Sequence, residues 1–67
     1  MKNSLKVERA KKDMTQAELA KLVNVSRQTI NAIESGDYNL STILALKISK
    51  VFQVNVKDIF LLEAKDL

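Results

Sequence analysis

The chain has 67 residues, a formal net charge of +3 and 46% apolar residues, and it contains neither cysteine nor histidine. This length allows one domain, residues 1–67, which buries only about 60% of its unfolded surface and so depends on efficient helix packing or on a partner subunit. Without cysteine or histidine, disulfides, the usual zinc sites and histidine-based acid–base catalysis are excluded, so we expect no metal, no cofactor and no enzymatic activity.

The sequence indicates neither a membrane span nor an export signal. Its apolar runs are far shorter than the roughly 20 residues that cross a bilayer, and residues 1–12, MKNSLKVERAKK, lack an apolar segment. We therefore expect a cytoplasmic protein with no membrane partner. The excess of 11 Lys and Arg over 8 Asp and Glu favours a polyanionic partner, although a basic surface serves solubility equally well.

The apolar residues recur at spacings of three and four and proline is absent, a pattern that predicts five helices. The first covers about 5–12 and the second about 16–23. The inward candidates of the first helix are Leu5, Val7 and Ala10. The second helix begins with Thr15-x-x-Glu18, a capping box in which each side chain accepts a hydrogen bond from the other residue's backbone N–H.

A link of residues 24–26 separates the second predicted helix from the third, which covers about 27–35. So short a link forces a sharp corner, as in a helix-turn-helix, although a plain corner between two helices has the same spacing. Ser26 can cap the third helix, and Gly36, the sole glycine, can adopt the left-handed conformation that ends it.

The outward side of the third helix is polar and free of acidic residues. Ile30 and Ile33 lie about 60° apart on a helical projection and mark the core side. The opposite side consists of Arg27, Gln28, Asn31, Ala32 and Ser35. A solvated face usually mixes acidic and basic residues, whereas arginine pairs with guanine and glutamine with adenine from the first turn of a recognition helix. The composition of this face therefore favours contact with the edges of DNA bases.

The last two predicted helices lie in the C-terminal third of the chain. The fourth covers about 41–52, with Asn39 and Ser41 as alternative N-caps. The fifth covers about 56–62, with Asn55 as its N-cap.

The segment TQAELAKLVNVSRQTINAIESG, residues 15–36, resembles the helix-turn-helix of the Cro/cI repressors, the XRE-like or lambda-repressor-like family of transcriptional regulators. VFQVNVKDIF, residues 51–60, resembles the closing helix of that family, so the resemblance runs from Leu5 to Phe60. It implies a compact all-α domain of five helices, with the helix-turn-helix at about 16–35. In short members the two termini can pair as a small strand, here FLLEA against residues 1–4.

The resemblance also implies which residues contact DNA. The set is Thr15, Gln16, Ser26, Arg27, Gln28, Asn31, Ala32, Tyr38 and Asn39. Gln16 would contact a phosphate and brace Gln28. Two alternatives stay open, because Arg27 could reach a phosphate instead of a base, and Tyr38 could pack its ring on the edge of the core.

Two further sets of residues are expected to hold the protein together. Arg9 and Glu34 match a structural ion pair of the family. One recognition helix reads only about four or five base pairs, which favours a two-fold dimer with two such helices about 34 Å apart. We expect the dimer surface within residues 54–67, where the apolar candidates are Val54, Val56, Ile59, Leu61 and Leu62.

Together these features predict a sequence-specific regulator that binds double-stranded DNA, a repressor acting as a homodimer on a palindromic operator. No site for a small-molecule effector is evident. The alternative is an antitoxin-like or other protein-interaction module that neutralises a partner protein. A partner that copurifies and abolishes DNA binding would favour that alternative.

Overall fold

A computed structural model of the chain describes residues 1–36 and 38–67. Within these ranges the helices are α1 (Leu5–Lys11), α2 (Gln16–Val23), α3 (Arg27–Ser35), α4 (Thr42–Phe52) and α5 (Val56–Ile59). Two short strands, β1 (Lys2–Asn3) and β2 (Phe60–Leu61), form a sheet, and a 3-10 helix follows at Ala64–Asp66. The predicted fold of five helices with paired termini is confirmed. None of the helices in the described ranges is long and apolar enough to cross a membrane.

Local side-chain caps determine where α2 and α4 begin. In the predicted capping box of α2, the Thr15 hydroxyl accepts from the Glu18 backbone N–H at 3.0 Å and the Glu18 carboxylate accepts from the Thr15 N–H at 2.9 Å. Ser41, not Asn39, caps α4 by accepting from the Leu44 N–H at 3.1 Å. These bonds satisfy N–H groups that have no partner inside a helix, so both starts follow from the local sequence.

Each helix contributes at least one fully buried side chain to the core. The most buried side chain of each helix is Leu5, Leu19, Ile30, Ile48 and Ile59, at 0% or 1% exposure, and α2 also contributes Val23 at 2%. The prediction that Val7 and Ala10 face inward is wrong, because Val7 is 54% exposed and Ala10 is also exposed. On a helix, the residues three and four after Leu5 share its side, and in α1 these are Glu8 and Arg9. The inner side of α1 is therefore apolar in its first turn and polar in its second.

The fifth helix is shorter than predicted, because its expected last turn is a strand. α5 ends at Ile59, and Phe60 adopts the extended conformation with φ −110° and ψ 119°. β2 pairs with β1 in antiparallel fashion, with Lys2 opposite Leu61 and Asn3 opposite Phe60. The prediction of a helix through residue 62 is thus wrong. Asn55 occupies the predicted N-cap of α5, but within the described ranges its side chain accepts no capping hydrogen bond.

Candidate nucleic-acid interface

The corner between α2 and α3 has the geometry of a helix-turn-helix. Asn24 ends α2 in the left-handed conformation with φ 60°, which asparagine tolerates better than most residues. The Val25 N–H donates to the Ala20 carbonyl at 2.9 Å, and the Val25 side chain packs against the core. Ser26 then caps α3 by accepting from the Thr29 N–H at 3.1 Å. The three linking residues therefore close one helix, fill the corner and start the next.

The polar side of α3 is presented outward. Arg27, Gln28 and Asn31 are exposed, Ala32 is half-buried, and the first turn carries no acidic residue. At the other end Gly36 adopts the left-handed conformation with φ 85°, as predicted. The N-terminal half of α3 therefore offers hydrogen-bonding side chains with little bulk in front of them, a surface that suits the major groove of DNA.

Gln16, the first residue of α2, connects α2 to this side of α3. Its Nε2 donates to Asn31 Oδ1 at 3.2 Å, and its Oε1 accepts from Arg27 Nη1 at 3.3 Å. The resemblance implied a brace to Gln28 instead. Among the described residues, the hydrogen bonds of Gln16 go to Arg27, Asn31 and Glu34 and not to Gln28. The difference follows from position, because Arg27, Asn31 and Glu34 are the α3 residues that approach the start of α2.

Arg9 and Glu34 join α1 to α3 through a side-on ion pair. Arg9 Nε lies 2.6 Å from Glu34 Oε2, and Arg9 Nη2 donates to Glu34 Oε1 at 3.1 Å. The remaining nitrogen, Nη1, donates to the Met14 carbonyl at 2.8 Å. The two side chains are only 14% and 9% exposed. A planar guanidinium matches both carboxylate oxygens at once, so the pair fixes direction as well as distance.

The surroundings of this pair favour its charged form. Burial by itself would raise the pKa of Glu34, but hydrogen bonds from Arg9 and Gln16, with the positive charges of Arg9 and Lys6, outweigh burial and lower it. The hydrogen bond to Glu34 raises the pKa of Arg9. Both groups are therefore ionised at neutral pH, and Glu34 acts only as an acceptor.

The remaining predicted DNA contacts lie around the two helices. Thr15 and Ser26 are N-caps whose hydroxyls accept from backbone N–H groups of α2 and α3. Both helices thus present their positive N-terminal ends near the Gln16 side chain, where an anion is favoured. Tyr38 and Asn39 follow α3 and are exposed, with Tyr38 at 39%. The Tyr38 ring is therefore partly accessible to a partner.

The predicted dimer residues divide into two groups. Leu61 and Leu62 are exposed by 52% and 70%. Val54 and Val56 are half-buried and pack against the core. Ile59 must be removed from the set, because its side chain is 1% exposed within the single chain and offers no surface to a second one. From its position on α5, the Ile59 side chain points into the core between α5 and the other helices.

Sequence analysis missed the apolar surface of α4. Ile43 is 69% and Leu46 56% exposed. Beside them lies a groove of about 340 Å³, lined mainly by apolar residues of the N-terminus, the segment before α4, and α4, α5 and β2: Met1, Leu40, Ser41, Thr42, Ala45, Leu46, Val56 and Phe60. The signal was available, since α4 reads TILALKISKVF and carries apolar residues on nearly every side. Such a helix is normally covered on more than one side.

The sequence of this chain is similar to those of known proteins. A family model described as helix-turn-helix matches residues 5–59. An uncharacterized HTH-type transcriptional regulator of Methanocaldococcus jannaschii is 56% identical over 63 residues, covering 94% of this chain and 96% of the relative. One of Bacillus subtilis is 47% identical over 66 residues, covering 98% of this chain and 100% of the relative.

A solved structure shares the fold. The restriction-modification controller protein C.AhdI of Aeromonas hydrophila has a TM-score of 0.75 and 27% sequence identity. The match covers 84% of this chain and 85% of the controller protein. The helical arrangement around the corner between α2 and α3 is therefore one that is known from experiment.

Proposed function

The chain belongs to the XRE-type, Cro/cI-like helix-turn-helix family of DNA-binding transcriptional regulators, and from this premise we propose that it is a repressor that binds a palindromic operator as a homodimer. It would act in the cytoplasm, by occupying DNA and not by catalysis. A bound dimer over a promoter would exclude RNA polymerase. The outward side of α3 is the observation that carries this proposal.

Base reading would come from Arg27 and Gln28 at the start of α3. Arg27 Nη1 donates one hydrogen bond to Gln16, and Nε and Nη2 remain as one pair of donors that can meet O6 and N7 of a guanine. Gln28 is exposed and can pair in the same two-point manner with adenine. Ala32 would allow close approach, and its methyl group can contact the methyl group of thymine.

Phosphate contacts would flank this reading side. The N-terminal turns of α2 and α3, with Thr15, Gln16 and Ser26, would face one backbone strand, and Asn31, Tyr38 and Asn39 would reach phosphates beside it. Backbone N–H groups at a helix start favour anions. Contacts of this kind release counterions, so we expect affinity to fall steeply with salt.

Two copies would be needed for useful specificity, since one helix reads few base pairs. We propose that the apolar residues on the surface of α4, α5, β2 and the residues beside these elements form the dimer contact. They are Ile43, Leu46, Val54, Val56, Leu61 and Leu62. Such a surface supplies the apolar centre that dimer interfaces have, and a two-fold dimer of this kind reads two half-sites about 34 Å apart.

Selection of bound duplexes from a random library tests the function directly. The native protein should enrich one inverted repeat, and Arg27→Ala and Gln28→Ala should each lose preference at one position of each half-site. Lys21→Ala is the matched control for Arg27→Ala, because it removes one positive charge from the far end of α2. If both α3 variants kept the affinity and the sequence preference of the native protein, the proposal would fail.

A further inference from the structure

The amide of Gln16 lies between the Arg9–Glu34 ion pair and the DNA-facing side of α3. Its Nε2 donates to Glu34 Oε1 at 3.1 Å as well as to Asn31 Oδ1 at 3.2 Å. Its Oε1 accepts from Arg27 Nη1 at 3.3 Å. A glutamine amide carries two N–H donors on its nitrogen and one acceptor oxygen. Both donors of Gln16 are therefore engaged, and its oxygen faces the guanidinium of Arg27.

A carboxylate at position 34 permits this orientation of the amide and opposes the reverse one. An ionised carboxylate can only accept hydrogen bonds, so it selects the nitrogen side of Gln16. A flipped amide would place Oε1 against Glu34 Oε1 and turn N–H donors toward Arg27, which is itself only a donor. Unfavourable contacts would then replace the hydrogen bonds with Glu34 and Arg27. Glu34 is in turn held by two nitrogens of Arg9 and cannot turn away.

We propose that Glu34 is a positioning residue of the DNA interface, which fixes the amide of Gln16 so that Arg27 is held with Nε and Nη2 available to one guanine. This inference rests on the proposed function and adds to it a residue that does not itself touch DNA. Asn31 is held by the same amide, so two residues of α3 depend on one carboxylate. The ion pair then determines base preference as well as joining α1 to α3.

Two variants separate this role from a purely structural one. In Glu34→Gln the side chain keeps one oxygen. That oxygen should stay beside Arg9 Nε, where the contact is shortest at 2.6 Å, so the new amide nitrogen should face Gln16. Gln16→Met breaks the same connection from the other side and leaves the Arg9–Glu34 pair intact. Should Glu34→Gln fail to fold, Gln16→Met still tests the connection. Glu8→Gln is the matched control, because it makes the same charge change and, among the described residues, Glu8 pairs only with exposed Lys11.

The first measurement uses the protein without DNA. In ¹⁵N-labelled native protein, the side-chain amide protons of Gln16 should exchange with water several-fold more slowly than those of exposed Gln53. In Glu34→Gln this protection should be lost, whereas in Glu8→Gln it should be kept. Equal exchange of Gln16 and Gln53 in the native protein would overturn the proposal, because the amide would then not be held.

The second measurement uses duplexes selected from a random library by the native protein. The position at which Arg27→Ala loses preference for guanine identifies the base that Arg27 reads. At that position Glu34→Gln and Gln16→Met should each reduce the preference by about tenfold. The double variant should lose no more than either single variant, since both changes break one connection.

Several results would contradict the proposal. If Glu34→Gln kept the guanine preference within about twofold, or if it weakened binding to all duplexes equally, Glu34 would be only structural. Additive losses in the double variant would also exclude a connection through Gln16. Failure of the proposed function has a different signature, because the native protein would then enrich no sequence, and both proposals would be rejected together.

Discussion

Replacement of Arg9 by methionine should lower the free energy of unfolding by about 3 kcal/mol, because it leaves the Glu34 carboxylate without its cation. Breaking a buried pair from one side typically costs about 3–5 kcal/mol, and we take the lower end because the side chains of Arg9 and Glu34 keep 14% and 9% exposure. At about 0.05–0.15 kcal/mol per residue, the chain has roughly 3–10 kcal/mol in total. The variant should therefore keep only about 0–7 kcal/mol of stability at neutral pH.

Urea denaturation at several pH values measures this loss and its cause. In the native chain the pKa of Glu34 lies below its ordinary value. The stability that Glu34 contributes is therefore present above the pKa of an unfolded glutamate, about 4.3, and is lost as the pH falls through the lower pKa of the folded chain. In Arg9→Met, burial is no longer offset by Arg9 and should raise the pKa of Glu34. The variant then loses stability as the pH rises from the pKa of the unfolded chain through the raised pKa of the folded one. The difference in free energy of unfolding between the native protein and Arg9→Met should thus shrink as pH is lowered from 7 towards 3.

Lys11→Met is the control, since it removes a cation from the same helix. Lys11 pairs with Glu8 at 3.3 Å but is 65% exposed, and exposed pairs contribute at most about 1 kcal/mol. A loss below about 1 kcal/mol for Arg9→Met at pH 7, or a gap between the two proteins that did not depend on pH, would refute the view that this pair is buried and charged.

Three further outcomes are expected. Leu19→Ala should lower the free energy of unfolding by about 2–5 kcal/mol, because Leu19 is 0% exposed, whereas Leu22→Ala at 61% exposure should change it far less in the same urea titration. Gly36→Ala should lower the melting temperature, since φ is 85° and a Cβ would lie 3.1 Å from a backbone oxygen; an unchanged melting temperature would contradict that conformation. Leu46→Lys and Leu62→Lys should each shift the proposed dimer to monomer in sedimentation equilibrium, and unaltered dimers would place the contact elsewhere.

The start of α2 and both ends of α3 could be predicted to the residue because their signals are local. Thr15 and Glu18 bond each other's backbone three positions apart, the Ser26 hydroxyl accepts from the Thr29 N–H at the start of α3, and Gly36 ends α3 with a conformation that glycine alone adopts freely. The end of α5 could not be predicted in this way. It depends on pairing between β2 and β1, which lie at opposite ends of the chain, and such tertiary pairing overrides a helical pattern over one turn.

The candidate site also has one part that the local sequence predicts and one part that it does not. The outward residues of α3 follow from helical periodicity, so Arg27, Gln28 and Asn31 could be named from sequence. The hydrogen bonds of Gln16 could not, because they require the crossing of α2 and α3 and the position of Glu34 relative to both. A single amide can point two ways with equal sequence support, and only the acceptors around it decide between them.

The small sheet has a consequence for α3 that its size does not suggest. β1 carries Asn3, whose Nδ2 donates to the Ile33 carbonyl at 2.8 Å, while its Oδ1 accepts from the Leu5 N–H at 3.2 Å. The Ile33 carbonyl belongs to the last turn of α3 and also accepts from the Gly36 N–H at 3.0 Å, so Asn3 adds a second hydrogen bond at this helix end. One asparagine thus caps the end of α3 and the start of α1 together. Because Gln16 holds the N-terminal half of α3 and Asn3 its C-terminal end, the helix is fixed at both ends before DNA arrives, and binding need not order it.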